Sequence, residues 1–186
     1  RIHVPSRPQK LVVIIPAFNE ERTIAQVVEN VPETIDDVGE IRVVVVDDCS
    51  TDRTAEIARA AGTLVVSHEK THGVGVAFMT GIDAALRLQA DIIVNIDGDG
   101  QFNPQDIPQL IRPILYENHG FVTCTRFADR DRYPKMPRLK LWGNRMMCRL
   151  VNLIIWHGKF TDVSCGFRAY SRDTALRLNL FGRFTY

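Results

Sequence analysis

Five short runs of aliphatic and β-branched residues, most followed by a stretch with helical spacing, constrain this chain more than any other feature. Leu11–Ile15, Ile41–Val46, Leu64–Ser67, Ile92–Ile96 and Phe121–Thr125 read as strands, because short runs of continuous apolar character suit strands buried on both faces. Helices are expected over 20–30, 51–61, 74–88 and 104–116, with Pro104 near the first turn of the last. This βαβα alternation predicts an α/β fold, a mostly parallel, Rossmann-like sheet flanked by helices in a single domain. With 186 residues the chain is long enough for one real core. A long helix at 138–156 and a last unit at 163–178 are expected to follow. Residues 1–10 read as a lead-in segment, and the missing initial Met suggests a processed or excised chain.

In open α/β sheets ligands bind beyond the carboxyl ends of the strands. Polar residues gather at four such exits: Pro16-Ala17-Phe18-Asn19-Glu20, Asp47-Asp48-Cys49-Ser50-Thr51-Asp52, Asp97-Gly98-Asp99 and Thr125-Arg126. Four polar exits on one edge point to a catalytic crevice. Asp97 and Asp99 offer hard oxygen ligands suited to Mg²⁺ or Mn²⁺ shared with substrate phosphates, and Gly98 and Gly100 let the backbone turn there. An acidic turn after a strand is the plain alternative. At the second exit, Ser50 or Thr51 is expected to cap the next helix, with Asp52 suiting its positive end. Neither cap needs Asp47 and Asp48 together, whose mutual repulsion calls for a ligand donor or a neighbouring Arg. The stretch from His72 to Gly81 approaches a dinucleotide fingerprint but has Phe78 in the third glycine position, and no Walker lysine pattern is present.

Composition narrows the partners. A net charge of +1 gives no case for nucleic acid. Basic residues nevertheless crowd one stretch, Arg126, Arg130, Arg132, Lys135, Arg138, Lys140, Arg145 and Arg149. The four cysteines lack metal-type spacing and read as reduced thiols. There is no signal peptide and no run of eighteen apolar residues. Leu139, Trp142, Met146, Leu150 and Leu153 recur at helical spacing among basic residues, which suits either a core helix or one lying in an anionic membrane interface.

Taken in order, Pro16–Glu20, Val46-Asp-Asp-x-Ser-x-Asp-x-Thr54, Asp97-Gly-Asp-Gly-Gln101 and Asp162-Val-Ser-Cys-Gly-Phe-Arg168 resemble the family 2 inverting glycosyltransferases of GT-A fold, in particular the polyprenyl-phosphate subgroup similar to dolichyl-phosphate mannose synthase. The likeness spans about residues 11–175. It implies a nucleotide-sugar site formed by Pro16, Ala17, Asn19, Glu20, Asp47, Asp48, Asp97 and Gly98, with Asp48 near the base. It implies a divalent metal, Mg²⁺ or Mn²⁺, at Asp97, Asp99 and Gln101. Arg126 and Arg138 would receive the acceptor phosphate, and Arg168 would complete the catalytic set with Asp97, Asp99 and Arg126. Gly98 stands where many relatives carry Ala, and the chain ends at Tyr186, before the C-terminal helices of many relatives, so a truncated catalytic domain over 11–186 is expected.

The chemistry implied is transfer of a hexosyl group from GDP-mannose or a UDP-sugar to a polyprenyl phosphate at the cytoplasmic face of a membrane. A sugar hydroxyl acceptor would need a general base. A phosphomonoester, with its second pKa of about 6, is already a nucleophile at neutral pH, and Arg suits its positioning. Three rivals stand beside this reading: a GT-A transferase acting on a glycan hydroxyl, a haloacid-dehalogenase-like phosphohydrolase with Asp97 as nucleophile, and a non-catalytic sugar-nucleotide-binding module. Gln101 after Gly100 departs from the Thr or Val of the phosphohydrolase motif, which also leaves Pro16–Glu20 and Asp47–Asp48 unexplained.

Overall fold

A computed structural model describes residues 5–124, 138–154 and 165–179. The strands are β1 (Gln9–Ala17), β2 (Val38–Asp47), β3 (Leu64–Ser67), β4 (Ile92–Asn95), β5 (Phe121–Thr123) and β6 (Arg168–Ser171). The helices are α1 (Ile24–Glu29), α2 (Thr54–Ala60), α3 (Val74–Arg87), α4 (Ile107–Glu117), α5 (Arg138–Ile154) and α6 (Arg172–Asn179). The chain divides into two compact units, 1–122 with 167–186, and 123–166. In the second unit, α5 is an uninterrupted helix, and Cys124 Sγ lies 3.2 Å from Cys165 Sγ.

The sheet order is β3-β2-β1-β4-β6-β5. β2 and β4 both run parallel to β1, and β3 runs parallel to β2. The predicted alternation is therefore present as a mixed, mostly parallel sheet with flanking helices. The chain builds outward from β1 to β3, then crosses back along α3 to lay β4 on the other side of β1. That reversal is a topological switch, and it opens a crevice between the carboxyl ends of β1 and β4. β6 joins as an antiparallel strand, pairing Asn95 with Arg168 and Ile92 with Ser171.

Burial explains why β1 forms. Leu11 to Ile15 are all fully buried, and consecutive strand residues point to opposite faces, so both faces of the sheet are covered. On one face Val12, Ile14, Val44, Val46 and Ile93 pack with Ala77, Ile82 and Ala85 of α3 and Ala175 of α6. Gly81 allows this close approach, since a Cβ there would lie 3.0 to 3.4 Å from three atoms of Ile14.

Several element limits differ from expectation for identifiable reasons. β1 and β2 run beyond Leu11–Ile15 and Ile41–Val46, because their ladder continues from Gln9↔Val38 to Ala17↔Asp47. Before α4, a single 3₁₀ turn occupies Pro104–Asp106, where Asn103 Oδ1 accepts the Gln105 N–H at 3.2 Å. α2 begins only at Thr54, and the residue at its N-cap is Arg53 without a side-chain cap. The expectation that Ser50 or Thr51 caps it is corrected: both face the loop after β1 instead.

Candidate active site

The exits of β1 and β2 are laced together by polar groups. Ser50 Oγ accepts the Asn19 N–H at 3.0 Å, and Asn19 Oδ1 accepts the Thr51 N–H at 2.8 Å. Thr54 Oγ1 accepts the Glu20 N–H at 2.7 Å, and Asp52 Oδ2 accepts that of Glu21 at 3.2 Å. Asn19 sits at φ 57°, a left-handed conformation that Asn tolerates better than most residues. Asp52 also accepts the N–H and hydroxyl of Thr54. Its burial raises the carboxyl pKa, but these bonds outweigh that and hold it below the ordinary value.

Asp47 and Asp48 are both buried, and each finds its own donors. Asp47 Oδ1 accepts the Ser50 N–H at 3.1 Å. Asp48 is met by the segment after β3. Its Oδ1 lies 2.7 Å from His68 Nδ1 and 2.9 Å from His72 N, and its Oδ2 accepts the Gly73 N–H at 2.7 Å. Of the two groups expected to relieve the pair, a ligand donor or a neighbouring Arg, no Arg meets Asp48 among the described residues; a histidine and two backbone amides do. Burial pushes the Asp48 carboxyl up, yet the bonds from His68, His72 and Gly73 more than reverse this and leave it lowered. An ionised carboxylate only accepts, so His68 Nδ1 carries the proton, and Nε2 lies 2.9 Å from Thr80 Oγ1 of α3. Gly73, at φ 89°, opens α3 in a conformation reserved for glycine.

The exit of β4 is fixed from two sides. Thr23 Oγ1 donates to the Gly98 carbonyl at 2.7 Å, and Asp99 Oδ1 accepts the Gln101 N–H at 3.0 Å. A Cβ on Gly98 would meet the Pro16 carbonyl at 3.4 Å, an ordinary contact. Phe102, just past this turn, packs on Phe167 with ring centroids 5.5 Å apart. The next residue, Arg168, sits opposite Asn95 in register, at the same end of the sheet as Asp97. Tyr170, raised by burial, is pulled the other way by Arg168 beside it.

Between these exits lies a cleft of about 320 Å³. Pro16, Ala17, Phe18, Val74 and Ala77 form an apolar wall, and Glu20, Asp48, Asp97 and Asp99 supply carboxylates around Gly98. Among the described lining residues there is no Lys or Arg. Such a cleft repels an anion unless a cation accompanies it. Two hard carboxylates with open space beside them fit a divalent ion whose remaining ligands come from substrate phosphates. No group of three His, Cys, Asp or Glu gathers among the described residues, so these alone offer no closed metal cage there.

Of the residues predicted from sequence, Pro16, Ala17, Glu20, Asp48, Asp97, Gly98 and Asp99 converge on this cleft, whereas Asn19, Asp47 and Gln101 are not in its lining. Arg168 lies on β6 at the same edge. Arg126 falls outside the described residues, and of Arg138 only its place at the start of α5 is described. Sequence reasoning missed His68, Thr23 and Thr80. His68 follows β3 directly, so the strand-exit rule that found the other residues could have found it.

The family described as "Glycosyl transferase family 2" matches residues 12–177. The UDP-N-acetylglucosamine--dolichyl-phosphate N-acetylglucosaminyltransferase of Methanococcus voltae is 32% identical over 87% of this chain and 69% of its own length. The undecaprenyl-phosphate mannosyltransferase of Micrococcus luteus is 29% identical over 92% of this chain and 70% of its own. Among solved structures, glucosyl-3-phosphoglycerate synthase of Mycobacterium tuberculosis, crystallised with Mn²⁺, UDP and phosphoglyceric acid, superimposes with a TM-score of 0.68 at 26% identity, over 89% of this chain. The chain spans 56% of that structure's length.

Proposed function

The chain belongs to glycosyl transferase family 2 and is a glycosyltransferase of GT-A fold, and from that premise we propose that it transfers a hexosyl group, with inversion, from a nucleotide diphosphate sugar to a polyprenyl phosphate. The observation that carries the donor half is the cleft at the switch point, with an apolar wall for a base and the carboxylates of Glu20, Asp48, Asp97 and Asp99 in its lining. The acceptor half is supported by relatives whose names specify dolichyl and undecaprenyl phosphates. Family membership leaves the phosphohydrolase reading without support.

Asp97 and Asp99, with help from Gln101, would hold Mg²⁺ or Mn²⁺, which when bound neutralises charge on the departing diphosphate. The chain's own residues do the rest. Pro16, Ala17 and Phe18 bury the face of the base, while Asp48 accepts a hydrogen bond from its edge. Thr23 fixes the turn that carries both metal-site carboxylates. Arg126 and Arg138 take the acceptor phosphate, and Arg168 stands at the diphosphate or acceptor end of the cleft. The phosphate acceptor brings its own negative oxygen, so no further carboxylate is needed as base.

α5 supports peripheral contact with the cytoplasmic face of a membrane. Trp142, Met146, Leu150 and Leu153 recur along it and are all at least half exposed, and the helix carries four basic residues and no acidic one. No helix among the described residues is long and apolar enough to cross a membrane.

The test is incubation of the protein with UDP- and GDP-sugars, polyprenyl phosphate and Mn²⁺ or Mg²⁺, with the lipid product analysed by mass and anomeric configuration. A glycosyl phospholipid of inverted configuration, formed only with metal, is expected. Transfer to an uncharged polyprenol at the same rate would remove the phosphate from the account.

A further inference from the structure

Asp48 is not an open acceptor. A carboxylate offers about four lone-pair sites. His68 Nδ1 at 2.7 Å and His72 N at 2.9 Å fill Oδ1. Gly73 N at 2.7 Å takes one side of Oδ2, which His72 N also approaches at 3.2 Å. His68 is itself fixed, by Thr80 on Nε2 and by His72 packed edge-on to its ring at 5.2 Å. Beside this carboxylate, Phe18 and Val74 remain 47% and 70% exposed at the cleft wall, apolar surface that a flat ring would cover.

Uracil and thymine present one ring N–H between two carbonyls. Guanine presents a ring N–H and an exocyclic amino group side by side, which a carboxylate satisfies by using both oxygens. Resting on the donor reading above, we infer that Asp48, with Oδ1 occupied by His68 and the His72 amide, keeps a single acceptor site for the base and selects a uridine or thymidine diphosphate sugar over a guanosine one. His68 is then a positioning residue for specificity. A guanine would leave one donor unpaired in a buried site, a loss of roughly tenfold or more in affinity.

The experiment is calorimetric titration of the protein, with Mn²⁺ present, by UDP, dTDP and GDP. UDP or dTDP is expected to bind at least about tenfold more tightly than GDP, and comparison of the two separates uracil from thymine. His68→Ala frees one acceptor site on Oδ1, the His72 amide keeping the other, and should shrink the preference to about threefold or less. His68→Asn, whose amide can donate where Nδ1 does, should keep it. A purely structural His68 would weaken all three nucleotides by one factor. Equal binding of UDP and GDP by the parent protein overturns the base selection and leaves the donor reading standing; binding of neither overturns both. Should His68→Ala not fold, Thr80→Val, which removes only the partner of Nε2, provides the second variant and should narrow the same ratio.

Discussion

Asp48 shows how the surroundings of a single residue can stay hidden in the sequence. The adjacent pair Asp47–Asp48 signalled a need for compensation, but the compensating groups come from His68, His72 and Gly73, 20 to 25 positions away. Spacing along the chain carries no trace of that contact. It has a measurable consequence, because the Asp48 pKa is lowered in the folded protein. A depressed carboxyl stabilises the fold above its unfolded pKa of about 3.9, and that contribution disappears as pH falls through the folded value. Urea unfolding followed from pH 6 to pH 3 should therefore show stability declining below about pH 4. Asp48→Asn should be less stable near neutrality and flatter over the acid range. Identical slopes for the two proteins would mean that Asp48 is not held as described.

At the scale of elements, the apolar runs made the parallel strands legible, because five consecutive buried, mostly β-branched residues in β1 suit a short strand in a sheet covered on both faces. β6 was hidden for the opposite reason: its four residues include Arg168, Tyr170 and Ser171, and only pairing with β4 makes them a strand. The late start of α2 was equally hidden, since Ser50 and Thr51 have good capping chemistry that tertiary contact with Asn19 takes over. α3 offers a direct check on packing. Ala is a better helix former than Gly by about 1 kcal/mol, but at position 81 its Cβ would press on fully buried Ile14 at 3.0 Å. Overpacking of that kind costs about 1–3 kcal/mol. Gly81→Ala should accordingly be destabilised by about 1 kcal/mol in chemical denaturation, and a gain in stability would show that α3 and β1 can move apart freely.

At the scale of the whole molecule, strand order turns scattered motifs into one site. Residues near 16, 48 and 98 meet because β1 lies between β2 and β4, and the reversal along α3 leaves a crevice where those exits face each other. Much of the cleft's lining was thus legible from motifs and the strand-exit rule together. The acceptor reading rests on likeness to a family, because Arg126, Arg130, Arg132 and Lys135 lie outside the described residues. On the proposed reading, the carboxylate-lined cleft takes up a sugar nucleotide only together with a divalent ion. Calorimetric titration with a UDP-sugar, in Mn²⁺ and in chelator, for the parent protein and Asp99→Ala, decides this. Tight binding is expected for the parent in Mn²⁺ alone, weakened at least about a hundredfold by the chelator or by the substitution. Equal affinity with and without metal, or in Asp99→Ala and the parent, would contradict it.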